Sequence, residues 1–381
     1  MAAIIGNPLR TVRIGFMPLT DCASLVMAAE CGFDRQYGIR IVPSRETSWA
    51  NVRDKLGSGA LDAAHVLYGL MVGVQLGIGC QRQDMAVLMN LSRNGQAVTV
   101  SRALAQQGAL DGPGLARQMR EAPRSYTFAH TFPTGNHAML LYYWLAAQGI
   151  DPLRQARALT VPPAQMVGSL KAGMIDGFCA GEPWGQRAID EGVGVTAATS
   201  QQIWPDHPGK VLGTTAAFAA SEADTCRAMI AAVLDASRWI EASTANREQS
   251  ATVLAGSAYL NTGRQAIAAR LLGRYDNGAG RQWTDAQALC FHADGEVNFP
   301  YLSDSMWFMT QQRRWGLLRD DPDYLGQAQA VNRIDLYKGA AGMTGTQLPA
   351  SVMRSSTLID GMRWDGSDPR GYAASFPIHQ R

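Results

Sequence analysis

Two octets of the chain follow one pattern: Leu56-Gly57-Ser58-Gly59-Ala60-Leu61-Asp62-Ala63 and Leu170-Lys171-Ala172-Gly173-Met174-Ile175-Asp176-Gly177. Each ends a helix on a glycine, which takes a left-handed backbone without a Cβ clash. Each then enters a strand through an apolar residue and an aspartate. The first octet sits in a regular alternation. Residues 11–17 read as a strand, and Thr20-Asp21 caps a helix that runs to Glu30 and stops at Gly32. Residues 39–43 form a second strand, Ser48 caps a helix through Leu56, and residues 63–67 form a third strand. Such strand–helix–strand units close as a largely parallel sheet covered by helices, so the chain is α/β. The helix before the second octet opens at Pro162-Pro163, where proline suits a first turn. Two copies of one unit predict two related lobes. The pattern also fits any helix–glycine–strand junction, and that reading stands beside it.

Residues 86–101 are strand-like around Asn94-Gly95-Gln96, and residues 200–213 read as a loop rich in Pro, Gly and His. These are the expected crossings between lobes. They divide the chain into a first lobe over 1–96, a second over 97–203, and a return to the first over 204–381 with a C-terminal wrap. Two crossings make a hinge, and the inter-lobe cleft becomes the default ligand site. Further helices are expected over 226–245, 264–272 and 307–315. The last carries Gln311, Gln312, Arg313 and Arg314 on a face read as solvated. Residues 339–381 hold many Gly, Ser, Thr and Pro and read as an irregular, partly mobile wrap.

Composition narrows the function. With 46% apolar and 17% charged residues, the chain is globular. A net charge of +2 argues against broad nucleic-acid or anionic-membrane binding, while a small basic site stays open. The first ten residues lack the basic and apolar regions of a signal peptide, and no apolar run reaches membrane-spanning length. The expectation is a cytoplasmic protein. Cys22, Cys31, Cys80, Cys179, Cys226 and Cys290 form no Cys-x-x-Cys pair, and no His-Glu-x-x-His or clustered set marks a metal. No Gly-x-Ser-x-Gly elbow marks a nucleophile either. Glu182, in Gly181-Glu182-Pro183-Trp184, reads as a turn residue with a base as the alternative. No cofactor and no enzymatic activity are implied.

The stretch 131–144 follows a strand-like segment (125–130) and leads through Pro133, Gly135 and Asn136 into an apolar helix. A turn of small residues before a helix leaves free N–H groups at the positive end of the dipole, a seat for an anion. His137 lies in the first helical turn. The alternative is an ordinary strand-to-helix turn with a satisfied histidine. Trp49, Gln96 and Lys210 sit on turns or helix ends expected to face the cleft. Together the four form a donor-rich set with no carboxylate, which fits a small monovalent oxyanion. Each has a plainer reading: core packing for Trp49, a solvated turn for Gln96, a surface lysine for Lys210.

A resemblance sharpens this. Ser48-Trp49-Ala50-Asn51-Val52-Arg53-Asp54, Asn94-Gly95-Gln96, Thr131-Phe132-Pro133 with Gly135 and His137, Val161-Pro162-Pro163 and Gly181-Glu182-Pro183-Trp184 follow in order. Phe299-Pro300-Tyr301, Trp307-Phe308 and Arg314-Trp315-Gly316 continue the series. The chain resembles the nitrate-binding NrtA/NasS group, relatives of the bicarbonate-binding proteins. The resemblance implies a two-lobed type II periplasmic-binding-protein fold with an inter-lobe cleft. It places anion contacts on Trp49, Gln96, His137 and Lys210, with Pro163 and Ala180 as apolar wall. It also implies a cytoplasmic nitrate or nitrite sensor of the NasS type, since no export signal is read. Such sensors release a NasT-type RNA-binding antiterminator when the anion binds, without themselves touching RNA or a membrane. The alternative is the substrate-binding component of a nitrate or bicarbonate ABC transporter with its leader removed. If His137 donates as an imidazolium, binding tightens at lower pH.

Overall fold

The computed structural model describes residues 9–380; residues 1–8, part of the stretch read as lacking a signal peptide, lie outside it. Two five-stranded sheets organise the chain. The first holds β1 (Arg10–Phe16), β2 (Ile39–Arg45), β3 (Ala63–Leu67) and β4 (Met85–Asn90). After a two-residue β5 (Arg93–Asn94), the second holds β6 (Gln96–Ser101), β7 (Tyr126–His130), β8 (Ala156–Thr160), β9 (Gly177–Gly181) and β10 (Gly194–Thr199). The chain then returns to the first sheet as β11 (Lys210–Thr215). The orders are β2-β1-β3-β11-β4 and β10-β6-β9-β7-β8.

Each sheet has the same plan. β1 runs parallel to β2 and β3, as β7 does to β8 and β9. β11 runs antiparallel between β3 and β4, and β6 antiparallel between β9 and β10. The antiparallel strand is in both cases the first one laid down after a crossing. The two octets enter β3 and β9, which hold matching places in the two sheets. β3, β4 and β9 are buried along their whole length, as expected of strands covered by helices on both faces.

One apolar core packs the first sheet against the helices Ala23–Glu30, Ala223–Glu241 and Ile334–Thr344. A second core contains Trp49, Leu56, Val66 and Leu67 of the first lobe. It continues without a break through Phe128, Leu140, Trp144 and Phe178 of the second. The lobes therefore meet over packed apolar side chains, and the cleft is shut.

Several local expectations need correction. Residues 200–213 are not a plain loop: they hold the helix Ser200–Ile203, with Thr199 and Gln202 forming a capping box, and then the start of β11. The supposed solvated face of the helix Leu302–Arg314 is buried at Gln311, Gln312 and Arg314. Gln312 Nε2 donates to Gly69 O at 2.9 Å and Thr134 O at 3.2 Å, joining the two lobes. The Arg314 guanidinium lies over the Phe376 ring at 3.7 Å. The C-terminal segment is a packed strap. Leu358, Trp364, Tyr372 and Phe376 enter the second core, and Ile359 N–H donates to Ile203 O at 2.9 Å. The Tyr143 hydroxyl of the second lobe donates to the Asp360 carboxylate at 2.9 Å.

Candidate functional site

The two crossing segments pair with each other. Leu91 N–H donates to Lys210 O at 2.8 Å, Gly209 N–H to Ser92 O at 2.8 Å, and Asn94 N–H to His207 O at 2.8 Å. Asn94 and Gly95 both turn left-handed, with φ of 63° and 77°. A Cβ at Gly95 would come within 2.7 Å of Leu289 Cδ1, and at that φ any other side chain is strained. This turn ends where β6 begins, at Gln96, and the return crossing ends where β11 begins, at Lys210. The two residues are thus the first of the two crossing strands. Gln96 pairs with Gly181 on β9, and a methyl group on Gly181 would lie 3.6 Å from Lys210 Nζ. Gln96 and Lys210 therefore flank one glycine from opposite lobes.

Trp49 and His137 sit at helix starts beyond the ends of parallel strands, where open α/β sheets bind ligands. Ser48 Oγ accepts from Asn51 N–H at 3.1 Å and caps the helix Trp49–Gly57. His137 is the second residue of the helix Asn136–Ala147. Asn136 does not cap that helix but ties it down. Its Oδ1 accepts from Gly69 N–H at 3.2 Å, and its Nδ2 donates to Pro208 O at 3.1 Å and Gly209 O at 2.7 Å. The helix start is thereby fixed to the residue before Lys210. Close approach needs Gly69, where a Cβ would meet Thr134 O at 2.3 Å.

All four residues are buried: Trp49 is 1% exposed, and Gln96, His137 and Lys210 are 0%. Three carry hydrogen-bonding atoms with no partner, namely Trp49 Nε1, Gln96 Oε1 and His137 Nε2. Unpaired buried polar atoms are costly, so each of the three calls for an explanation. The other ring nitrogen of His137, Nδ1, meets Thr131 Oγ1 at 2.5 Å.

The expectation of a set without a carboxylate fails. Lys210 Nζ donates to Asp21 Oδ2 at 2.8 Å, and Asp21 Oδ1 meets His65 Nε2 at 2.8 Å. Met17 N–H reaches His65 Nδ1 at 3.4 Å, which makes that nitrogen the acceptor and Nε2–H the donor to Asp21. The His65 ring in turn lies 5.8 Å from the Trp49 ring. Thr20-Asp21 is thus no helix cap; it forms a short 3-10 turn that aims the carboxylate at Lys210. Lys210 is no mobile surface charge either, because β11 is hydrogen-bonded on both sides.

Burial alone would raise the Asp21 carboxyl, but the charges of Lys210 and His65 and the bonds to both hold it well below the usual carboxylate range. Burial pushes the His137 and His207 imidazoles well below their ordinary value, and Lys210 pushes the same way. Burial lowers His65 against the opposing pull of Asp21, and lowers His130 to about 4. These rings are neutral at pH 7.

Of the residues not foreseen, His207 meets Gln96 Nε2 through Nδ1 at 3.3 Å and leaves its own Nε2 without a partner. Its place in a Trp-Pro-Asp-His-Pro-Gly segment gave no sign of this. Glu182 is more than a turn residue: its Oε1 accepts from Arg270 Nε at 2.9 Å with both side chains buried. Pro163 opens the 3-10 turn Pro163–Gln165 after β8 and is buried. Its ring adds no polar atom to the set. Ala180, on β9 beside Gly181, is buried as well. Among the described residues no group of three or more His, Cys, Asp or Glu side chains is arranged to hold a metal ion. Nor is any helix among them long and apolar enough to cross a membrane.

Residues 6–255 match the NMT1-like family. The nitrate/nitrite binding protein NrtA of Synechococcus elongatus is 34% identical over 96% of this chain and 85% of its own length. The bicarbonate-binding protein CmpA of a Synechococcus species is 30% identical, over 97% of this chain and 87% of its own. The crystal structure of the periplasmic nitrate-binding protein NrtA from Synechocystis superposes with a TM-score of 0.92 at 31% identity, covering 97% of this chain and 99% of that one. The architecture is therefore the two-lobed periplasmic-binding-protein fold, and the chain belongs to the NMT1-like family, alongside the NrtA binding proteins whose fold and most of whose length it shares.

Proposed function

We propose that this protein binds nitrate or nitrite between its two lobes and closes on it. The observation that carries the reading is the burial of Trp49 Nε1, Gln96 Oε1 and His137 Nε2 without partners, together with the buried ammonium of Lys210. A flat monovalent oxyanion accepts several hydrogen bonds in one plane and needs one nearby cation. In this reading Thr131 Oγ1 holds His137 at Nδ1, which leaves Nε2–H for the ion. Trp49 donates its indole N–H, and the Gln96 amide turns its NH₂ inward. Pro163 and Ala180 form dry wall. The anion binds the closed form more tightly than the open one, because only closure brings Gln96 and His137 to Lys210. The names of two relatives, a nitrate/nitrite binding protein and a nitrate-binding protein, support the choice of ion.

Calorimetry on the full chain tests this against nitrate, nitrite, bicarbonate and sulfate. Saturable binding of nitrate or nitrite is expected. Binding of bicarbonate with no response to nitrate or nitrite overturns the reading, and CmpA makes that the serious competitor.

Two partners can read the closed form. The relatives' names favour delivery to a membrane transporter. The near-neutral net charge of +2 suits the other use, a cytoplasmic sensor that releases a NasT-type antiterminator and does not itself bind RNA. Co-purification with and without nitrate separates them. A NasT-type protein held by the free form and shed on adding nitrate selects the sensor; capture by a permease selects transport.

A further inference from the structure

We infer that capture of the anion takes up a proton from solvent, and that His137 holds it in the loaded site. The inference rests on the oxyanion reading above. The buried cluster is already electrically balanced. Lys210 Nζ and Asp21 Oδ2 are 2.8 Å apart and both side chains are shut away from water. An arriving anion adds one negative charge to a dry, neutral site, and an unmatched buried charge is strongly unfavourable. The N–H dipoles at the start of the helix Asn136–Ala147 offset part of it. A proton restores the balance.

The charged and titratable groups that act on His137 through space are Lys210 from β11, Asp21 from the turn after β1, His207 from the return crossing and His130 from the end of β7. Asp21 is bound to both Lys210 and His65, so it is not the acceptor. His65 Nδ1 already accepts from Met17 N–H, and a proton there would set two donors face to face. His207 Nδ1 meets the Gln96 amide, whose oxygen takes that place once its NH₂ faces the ion, and the remaining nitrogen Nε2 has no partner to stabilise a charge. His130 lies edge-on to Tyr142 at 5.8 Å, and its Nδ1 has no partner to stabilise a charge. His137 is the histidine of this group whose Nδ1 partner serves either state. The Thr131 hydroxyl donates to Nδ1 in the neutral ring and, on rotating, accepts from it in the charged ring. The doubly protonated ring then gives the anion a second cation through Nε2–H.

The test is calorimetry of nitrate with the full chain in phosphate and in Tris, whose ionisation heats differ. About one proton taken up per anion is expected, with affinity falling toward about tenfold for each pH unit of increase between pH 6 and 8. Binding without proton uptake overturns the inference and leaves the oxyanion reading intact. No binding at any pH overturns both. Asp21→Asn frees the charge of Lys210 for the anion, so uptake should fall to near zero and the affinity should lose its pH dependence. His137→Gln, which keeps a donor but cannot titrate, should abolish the uptake by an independent route. Uptake unchanged in either variant overturns the assignment.

Discussion

Two ion pairs lie shut inside the molecule, and they are built differently. Lys210 and Asp21 meet at 2.8 Å, Arg270 and Glu182 at 2.9 Å, and none of the four side chains is more than 1% exposed. The first pair joins two elements of one lobe. The second joins the helix Arg264–Leu271, packed in the first lobe's core, to the end of β9 in the other lobe. Arg270 is housed on several sides: it also donates to Arg274 O at 2.8 Å and lies over the Tyr275 ring at 4.0 Å. Glu182 also accepts from Gln186 N–H at 3.1 Å, and its backbone bonds to Gly95 and Thr20. Lys210 Nζ, by contrast, has Asp21 as its one hydrogen-bond partner among the described residues. The guanidinium commits Nε and Nη1 to fixed partners in two elements, with Nη2 left without one, and so holds the lobes together, while the ammonium keeps N–H groups to spare for a ligand.

That contrast can be broken by substitution. Lys210→Ala should have the largest effect. It strips the anion of its cation and leaves Asp21 buried without one, a loss of about 3–5 kcal/mol. Calorimetry should show nitrate binding abolished, and the urea midpoint should fall as well. Affinity within a few-fold of the unmodified protein would detach Lys210 from the site. Arg270→Met should act second, through closure. Opening the lobes returns Glu182 to water, so the cost falls on the closed state and stays below that of Lys210→Ala. Small-angle scattering should then show a larger radius of gyration at saturating nitrate. An unchanged radius would deny the pair its latching role.

Trp49→Phe sharpens the comparison from the neutral side. The ring and its packing against His65 remain, and one donor to a charged ligand is lost, about 1.5–3 kcal/mol, or roughly tenfold or more in affinity. Stability should hardly move, because Nε1 has no partner in the protein. The smallest effect per group is with pH. His65, His130, His137 and His207 titrate below the ordinary imidazole value when folded, His130 at about 4. Between those values and about pH 6.5 the unfolded chain binds more protons. Their stabilisation is complete above that pH and is lost as the pH falls, by up to about 1.4 kcal/mol per histidine per unit. Denaturant midpoints at pH 7.5 and 5.5 should differ in that sense. His130→Asn should flatten the slope and Arg270→Met should leave it unchanged.

Much of this was legible along the chain. Strands and helix starts are set by residues near in sequence, so Ser48, the glycine-ended octets and the Asn94-Gly95 turn announce themselves. The places of Trp49, Gln96, His137 and Lys210 at the starts of elements were legible for a related reason, because boundaries carry local signals. Asp21 was not, because an aspartate at a helix start looks like a cap whether it bonds its own backbone or a lysine far along the chain. Gln311, Gln312 and Arg314 failed in the same way, since polarity cannot distinguish water from a buried partner such as Gly69 O or a Phe376 ring. The sequence alone determined two α/β lobes, their crossings and a supply of donors. The tertiary structure alone decided that Lys210 meets Asp21 and that the C-terminal strap is packed, because contacts between distant segments depend on how finished elements stack and not on the periodicity within any one of them.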